Sequence, residues 1–463
     1  MVEVLEYGYL AAALAIGVLL YWRNPPLYVG FVWWVFFLTP EVRRLIDYQF
    51  GWNPTSPVML APSLLAALTF FTLLRHLPKL QFYPIFPFGL VFLGLFYGYG
   101  VGALRLGWQA STWDLINWMV PVVFGFYLIV HWRNYPSFRR AVQRTFVWGV
   151  LAMGLYGLLQ FFDPPLWDQE WMTNAGMTSV GSPAPFEVRV FSTLNSPGPF
   201  ALVMMAGLLL LSSGGGLLRW PAAGVGFVSF LLSLVRSAWG GWLSGLIFMA
   251  AQRGRFAPRL IVGLVVAGLI AFPLISVGPV AEVVNERLQT VNNLEEDPSA
   301  QSRETFYSTF AERAFSSPVG EGLGKTGLAT KLSSESGESN VQLGEFGAFD
   351  SGIMNIPFVL GWAGSLLYLT GLIWSLFYAL RSGASHSDVF AAASRGIVVA
   401  VLTQLIFVNS LNGVVGMVFW SFLSMSLAAQ LYHVRSNADY AKTNREASSE
   451  DRSIPHDAAP TRS

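Results

Sequence analysis

Residues 353–380 read IMNIPFVLGWAGSLLYLTGLIWSLFYAL and carry no charged side chain. An α-helix needs roughly 20 such residues to cross the hydrocarbon core of a bilayer. In lipid, only a helix or a closed barrel satisfies its own backbone. The stretch therefore predicts a spanning helix. Working outward, the same criterion selects 5–22, 27–40, 57–74, 84–104, 114–132, 146–162, 198–213, 221–235, 238–252, 259–276, 393–411 and 413–432. Several are short, and 27–40 and 221–235 leave open a tilted, re-entrant or bundle-enclosed helix. The expected fold is all-α, a polytopic transmembrane helix bundle of about 12–13 spans. One large extracytoplasmic loop of mixed helix and turn is expected between the late spans.

Composition agrees. Of 463 residues, 53% are hydrophobic and 12% charged, and the mean hydropathy is +0.49. Soluble domains carry roughly 25% charged residues. The charges cluster between apolar stretches, because one at the bilayer centre costs about 2.5–3.5 kcal/mol. Seventeen Trp and sixteen Tyr suit a chain with many lipid–water boundaries. A net charge of +1 argues against a nucleic-acid binder, and the lack of Cys excludes disulfides and thiolate metal sites. The first residues show neither a basic region nor a small-residue cleavage site, so 5–22 reads as a membrane helix rather than a cleaved signal.

Two connections are long, 163–197 and 277–352. The chain divides into an N-terminal transmembrane bundle at 1–276, a large loop at 277–352, C-terminal transmembrane helices at 353–433, and a polar tail at 434–463 expected to be disordered. Within the loop, 279–294 and 300–316 have helical apolar spacing, and 333–347 is rich in Ser, Gly and Glu. Lys and Arg in short loops set orientation. With thirteen spans, Arg75 and Lys79, the Arg133–Arg144 group, Arg253–Arg259, Arg381 and Arg395 share one side, expected to be cytoplasmic together with the tail. The other side receives Arg43, Arg44, Arg105, Arg189, Arg236, both long connections and the N-terminus.

Arg189 in Arg189-Val190-Phe191-Ser192-Thr193-Leu194-Asn195-Ser196-Pro197 stands at a helix entrance, where its fork of donors suits a phosphate. Snorkelling to lipid headgroups is the plainer reading. Arg236 occupies the tight turn Leu234-Val235-Arg236-Ser237-Ala238 between two apolar segments, and either marks that turn or binds an anion there. Arg303 and Arg287 in the loop read as surface charges or substrate contacts. Arg43 and Arg44 either touch substrate or show that the second span does not cross. Pro318–Lys325 is Gly-rich like a phosphate cradle, but it lacks the Walker spacing and a preceding strand, so a turn-forming role is preferred. Asp350 and Glu345, before residue 353, suit a base or a solvated charge, and Asp350 also suits a helix cap. Gln404, Asn409 and Asn412 suit interhelical hydrogen bonds. No His, Cys or carboxylate set has metal-ligand spacing.

Four blocks together resemble the O-antigen ligase/polymerase superfamily. They are Arg189–Pro197; the Leu231–Trp242 turn; Arg303 to Gly324 with Phe306, Tyr307, Pro318, Gly320 and Gly322; and Gly347 to Gly364 ending in Leu360-Gly361-Trp362-Ala363-Gly364. They span 189–364 in the family's order, and the first 185 residues match only in general helical character. The resemblance implies a metal-independent and cofactor-free glycosyltransferase in a bacterial cytoplasmic membrane. A hydroxyl of one polyprenyl diphosphate-linked glycan would attack the anomeric carbon of another at the outer face, and polyprenyl diphosphate would leave. Arg189 and Arg236 would stabilise the diphosphate, with Arg303, Arg287, Arg43, Arg44 and Glu345 binding substrate. Asp350 stands where the ligases of the family carry a functional His, which favours exopolysaccharide or O-antigen polymerisation over ligation to a lipid or protein acceptor. Export or chain-length proteins are the implied partners. A lipid-linked sugar flippase is the rival from another class, and it would show internal repeats and polar sites at mid-membrane.

Overall fold

A computed structural model describes residues 2–80, 84–252, 316–332, 351–381 and 383–451. They form α1 (Val2–Arg23), α2 (Pro25–Phe50), α3 (Ala61–Ala67), α4 (Phe70–His76), α5 (Phe86–Arg105), α6 (Trp108–Val130), α7 (Tyr135–Phe162), α8 (Leu166–Ala175), α9 (Pro197–Leu211), α10 (Arg219–Leu232), α11 (Arg236–Gln252), α12 (Gly352–Leu380), α13 (Val389–Leu402) and α14 (Gly413–Asp451). Among the described residues, β-pairing is limited to an isolated bridge between Gly181 and Val188.

Among the described residues, eight helical stretches are long and apolar enough to cross a membrane: α1, Pro57–Lys79, α5, α6, Trp132–Phe162, α12, Val389–Ile406 and Gly413–Asp439. The protein is a polytopic membrane helix bundle. The sequence reading counted more spans, and the difference lies in length and charge. Helices α9 and α10 have 15 and 14 residues, fewer than the roughly 20 of a full span, and α11 is described only as far as Gln252. Helix α2 is long, but its second half carries Glu41, Arg43, Arg44 and Asp47. The expected span 259–276 lies outside the described residues. The tail differs from expectation too, since α14 continues to Asp451. An i,i+4 ion pair between Arg435 and Asp439, 3.2 Å apart, supports that continuation.

Burial separates the centre from the rim. In α14, 83% of the apolar window is buried, against 17% in α1. Helix α9 is buried at every residue except Gly198 and Pro199, so it is a core helix enclosed by its neighbours. Leu93, Phe96, Leu155, Leu243, Ile247, Leu366 and Ile373 are exposed apolar side chains on outward-facing helices, a surface suited to lipid rather than water.

Helix α12 is broken. Gly361 has φ 61° and ψ −170° within it, which frees backbone groups in the preceding turn. Residues 316–332 return to take them up. Glu321 N donates to Phe358 O at 2.7 Å, Gly322 N to Val359 O at 3.1 Å, and Trp362 N to Pro318 O at 2.9 Å. The same segment is held against α5 and α6: Leu323 N donates to Gly98 O at 3.0 Å, Arg105 Nη1 to Gly320 O at 2.8 Å, and Gly324 N to the Asp114 carboxylate at 2.9 Å. Irregular backbone survives among membrane helices only where protein satisfies it in this way. Gly322, at φ 89°, passes so close to α5 that a Cβ would lie 2.3 Å from the Gly102 backbone. Gly322→Val is therefore expected to prevent docking of the segment, read as loss of a monodisperse, cooperatively melting protein in detergent. Pro318–Lys325 is a structural plug, matching the turn-forming reading of its glycines.

The bundle has two distinct ends. One gathers the C-terminus of α2, the α5–α6 turn, residues 186–196, the α10–α11 turn, the start of α12 and the α13–α14 connection. The other gathers the α1–α2 turn, the end of α4, the α6–α7 turn and residues 383–388. There Asp388 caps α13, its carboxylate accepting from Phe390 N and Ala391 N, and it also meets Tyr135 Oη at 2.8 Å, His433 Nε2 at 3.1 Å and Arg139 at 3.4 Å. Burial alone would raise the Asp388 carboxyl. The His433, Tyr135 and backbone hydrogen bonds and the Arg139 charge outweigh it and hold the group below the ordinary carboxylate range.

Candidate functional site

Arg189 and Arg236 come together at the first of these ends. Val190 N donates to Leu232 O at 3.1 Å, and Arg189 Nη2 reaches Leu234 O at 3.4 Å, two residues before Arg236. Residues 186–192 thus run beside the α10–α11 turn. Arg236 is the first residue of α11, where the helix dipole favours an anion. Helices α9 and α12 also begin at this end.

The backbone here is strained. The positive-φ residues other than glycine, among those described, are Phe186 (φ 67°), Ser192 (φ 51°) and Leu234 (φ 56°). All three belong to the two segments that carry Arg189 and Arg236. Such conformations cost roughly 1–3 kcal/mol each and persist only where the surroundings impose them.

At Ser192 the conformation is imposed by a buried polar scaffold. Gln160 of α7 accepts from Phe191 N at 3.0 Å and Ser192 N at 2.8 Å through Oε1, and donates to Asp168 Oδ2 at 2.7 Å through Nε2. Ser192 Oγ donates to Met153 O at 2.6 Å. Arg44, fully buried, closes the network: Nε lies 2.9 Å from Asp168 Oδ1, Nη1 donates to Leu194 O at 2.5 Å, and Nη2 donates to Ser192 O at 2.6 Å and to Glu41. Its guanidinium carbon lies 5.0 Å from the Phe191 ring centroid. Tyr156 Oη lies 2.7 Å from Glu41 Oε1 and 3.0 Å from Asp168 Oδ2. Burial pushes the Asp168 carboxyl up to about 6 against the pull of Arg44, and the Glu41 charge adds to the rise.

With all three nitrogens engaged inside the chain, Arg44 positions the Ser192–Leu194 backbone rather than contacting a ligand. Arg43 is half-buried, bonded to Asn53 O at 2.8 Å and Asp47 at 3.2 Å, and lies over Trp52. Sequence reasoning missed Gln160, Asp168, Tyr156 and Glu41. The available signals were a lone Gln in the apolar half of α7 and the Glu41/Arg44 pair three residues apart at the end of an apolar stretch.

The α13–α14 connection joins the site to α12. Gln404 Nε2 donates to Ser237 O at 2.9 Å, the interhelical role expected of it. A Cβ on Gly352 would lie 3.2 Å from Asn409 Cα. Ser351, not Asp350, caps α12, its hydroxyl accepting from Met354 N at 3.4 Å. Asp350, Glu345, Arg303 and Arg287 lie outside the described residues. Thr193 Oγ1, Asn355 Oδ1, Gln404 Oε1 and Asn409 Nδ2, all at this end, are buried without a hydrogen-bond partner among the described residues. Three or more His, Cys, Asp or Glu side chains poised for a metal are not found among the described residues.

The site can therefore do one thing well: hold an anion at the end of a membrane bundle between two guanidinium-bearing segments, with polar side chains from α12 and the α13–α14 connection close by. No protein-family model matches the chain, and no curated protein does.

Proposed function

We propose that this protein is a membrane glycosyltransferase that elongates or transfers polyprenyl diphosphate-linked glycans. The observation that carries the reading is the approach of the Arg189 guanidinium to Leu234 O beside Arg236, in strained backbone that continues into the buried network at Ser192. A diphosphate leaving group tethered in lipid needs fixed positive charge at the membrane surface. Preorganised arginines supply it without reorganisation at the moment of bond cleavage.

The reaction follows from the sequence resemblance. An acceptor sugar hydroxyl forms a bond to the donor's anomeric carbon, the bond from that carbon to the diphosphate oxygen breaks, and the hydroxyl proton passes to Asp350. Arg303, Arg287 and Glu345 belong to the same proposal as substrate contacts, and the loop at 277–352 would exclude water and limit hydrolysis. The active end would face outward from a bacterial cytoplasmic membrane, with the Arg75, Arg133 and Arg139 end in the cytoplasm. Polymerase activity is favoured over ligase activity by Asp350 in place of the ligases' His.

The test is direct. Purified full-length protein in nanodiscs is incubated with a polyprenyl diphosphate-linked oligosaccharide and no nucleotide sugar or metal. A ladder of longer lipid-linked glycans is expected. Movement of the unaltered lipid between leaflets, with no ladder, would replace this reading with transport.

A further inference from the structure

The opposite end of the bundle holds a second feature that the glycosyl-transfer reading does not use. The α1–α2 turn, α4 and the end of α6 enclose a cavity of about 200 Å³. Its lining includes Arg75, His76, His131, Tyr127, Thr72 and Trp22. The stretches that build it, 20–30, 68–80 and 127–139, contain no Asp and no Glu. Arg75 makes no ion pair among the described residues, and its guanidinium carbon lies 6.0 Å from the centroid of Trp22.

Both imidazoles are pinned in the same way. His76 Nδ1 meets Thr72 O at 2.9 Å, and His131 Nδ1 meets Tyr127 O at 3.0 Å. A carbonyl oxygen only accepts, so each Nδ1 carries the hydrogen. Each Nε2 is then the ring nitrogen left to face a ligand. The Tyr127 ring lies 4.6 Å from that of His131. Tyr127 is 2% exposed, and its buried hydroxyl has no hydrogen-bond partner among the described residues. A native structure rarely leaves such a donor unused.

We propose that this cavity binds a phosphate group. The chemistry selects against a cation, since a guanidinium lines the site and no carboxylate does. It suits an anion with several acceptor oxygens: Arg75 supplies a fork of donors and Tyr127 supplies its hydroxyl. The phosphate belongs either to a lipid headgroup or to a free anion. The neighbouring Phe71 and Leu74 are 58% and 61% exposed, an apolar rim on which acyl chains could lie.

The site is tested on the full chain purified in detergent, with dioleoyl phosphatidic acid, dioleoylglycerol and sodium phosphate as separate probes. Binding is read by thermal melting and native mass spectrometry. Phosphatidic acid is expected to bind saturably and raise Tm, and dioleoylglycerol to do neither. Arg75→Gln with His131→Gln should weaken phosphatidic acid on the order of tenfold or more. Tyr127→Phe, which removes one oxygen from a buried position, should weaken it less while leaving the ligand-free Tm unchanged or higher, and it serves if the double variant does not fold. Protection by sodium phosphate equal to that by phosphatidic acid, and lost in the same variants, would support the site and assign it a soluble anion. Phosphatidic acid binding that persists at full affinity in these variants, or an absence of binding by both phosphate probes, would overturn it. None of these outcomes depends on glycosyl transfer.

Discussion

Replacing Arg236 with Ala is expected to lower glycan elongation by about 10²–10³-fold, the usual cost of removing one preorganised donor from developing negative charge. The protein should still insert and melt as before. Arg236 is the first residue of α11 and half-exposed, so its side chain is not part of the buried core. Arg236→Lys keeps a point charge but loses the fork that grips two phosphate oxygens, and should recover only part of the activity. Arg189→Ala is expected to match the activity loss and add a modest fall in Tm, because it also removes the contact with Leu234 O. The measurement is the glycan ladder formed from a labelled lipid-linked oligosaccharide by protein in nanodiscs, set beside melting of the same preparations. A ladder undiminished in both Ala variants would falsify the role given to these arginines.

The helical architecture was legible in the sequence because a bilayer leaves few options: a charge-free run such as 353–380 must be a helix, and it is. The pairing of Arg189 with Arg236 was legible as well, since helices α9 and α10 carry the chain away and back, returning residue 234 to the level of residue 189. Span count was less legible. Apolar content selects α9 and α10 as readily as the longer helices, and only burial shows that α9 is enclosed by protein. The break in α12 at Gly361 was hidden for a different reason. Its cost is offset by backbone donors from residues 321 and 322, and sequence periodicity carries no trace of a partner forty residues away. Arg44 shows the same limit. As one of two adjacent arginines it suggested a surface contact, and its burial depends on Asp168 and on carbonyl groups about 150 positions distant.

Arg44→Ala is expected to be among the most damaging single changes in the protein, at about 3–5 kcal/mol, the cost of breaking a buried ion pair from one side. It would leave Glu41 and Asp168 close together with no cation between them, and would release the carbonyls of Ser192 and Leu194. Asp168→Asn should be far milder, because Arg44 keeps Glu41 as its counter-charge and the amide still bonds. The pH dependence separates this account from a simple packing loss. The folded-state pKa of Asp168 is already raised by burial, so the folded chain holds that proton more tightly than the unfolded chain. Stability from this group is complete below the unfolded carboxylate range near 4 and is lost as pH rises through about 6. Removing Arg44 takes away the one influence that lowers this pKa by charge, so the defect of Arg44→Ala should be larger at pH 8 than at pH 5. Melting of both variants across that range decides the matter. A deficit in Arg44→Ala that does not change with pH would mean that lost packing, not two unpaired carboxylates, destabilises the segment leading to Arg189.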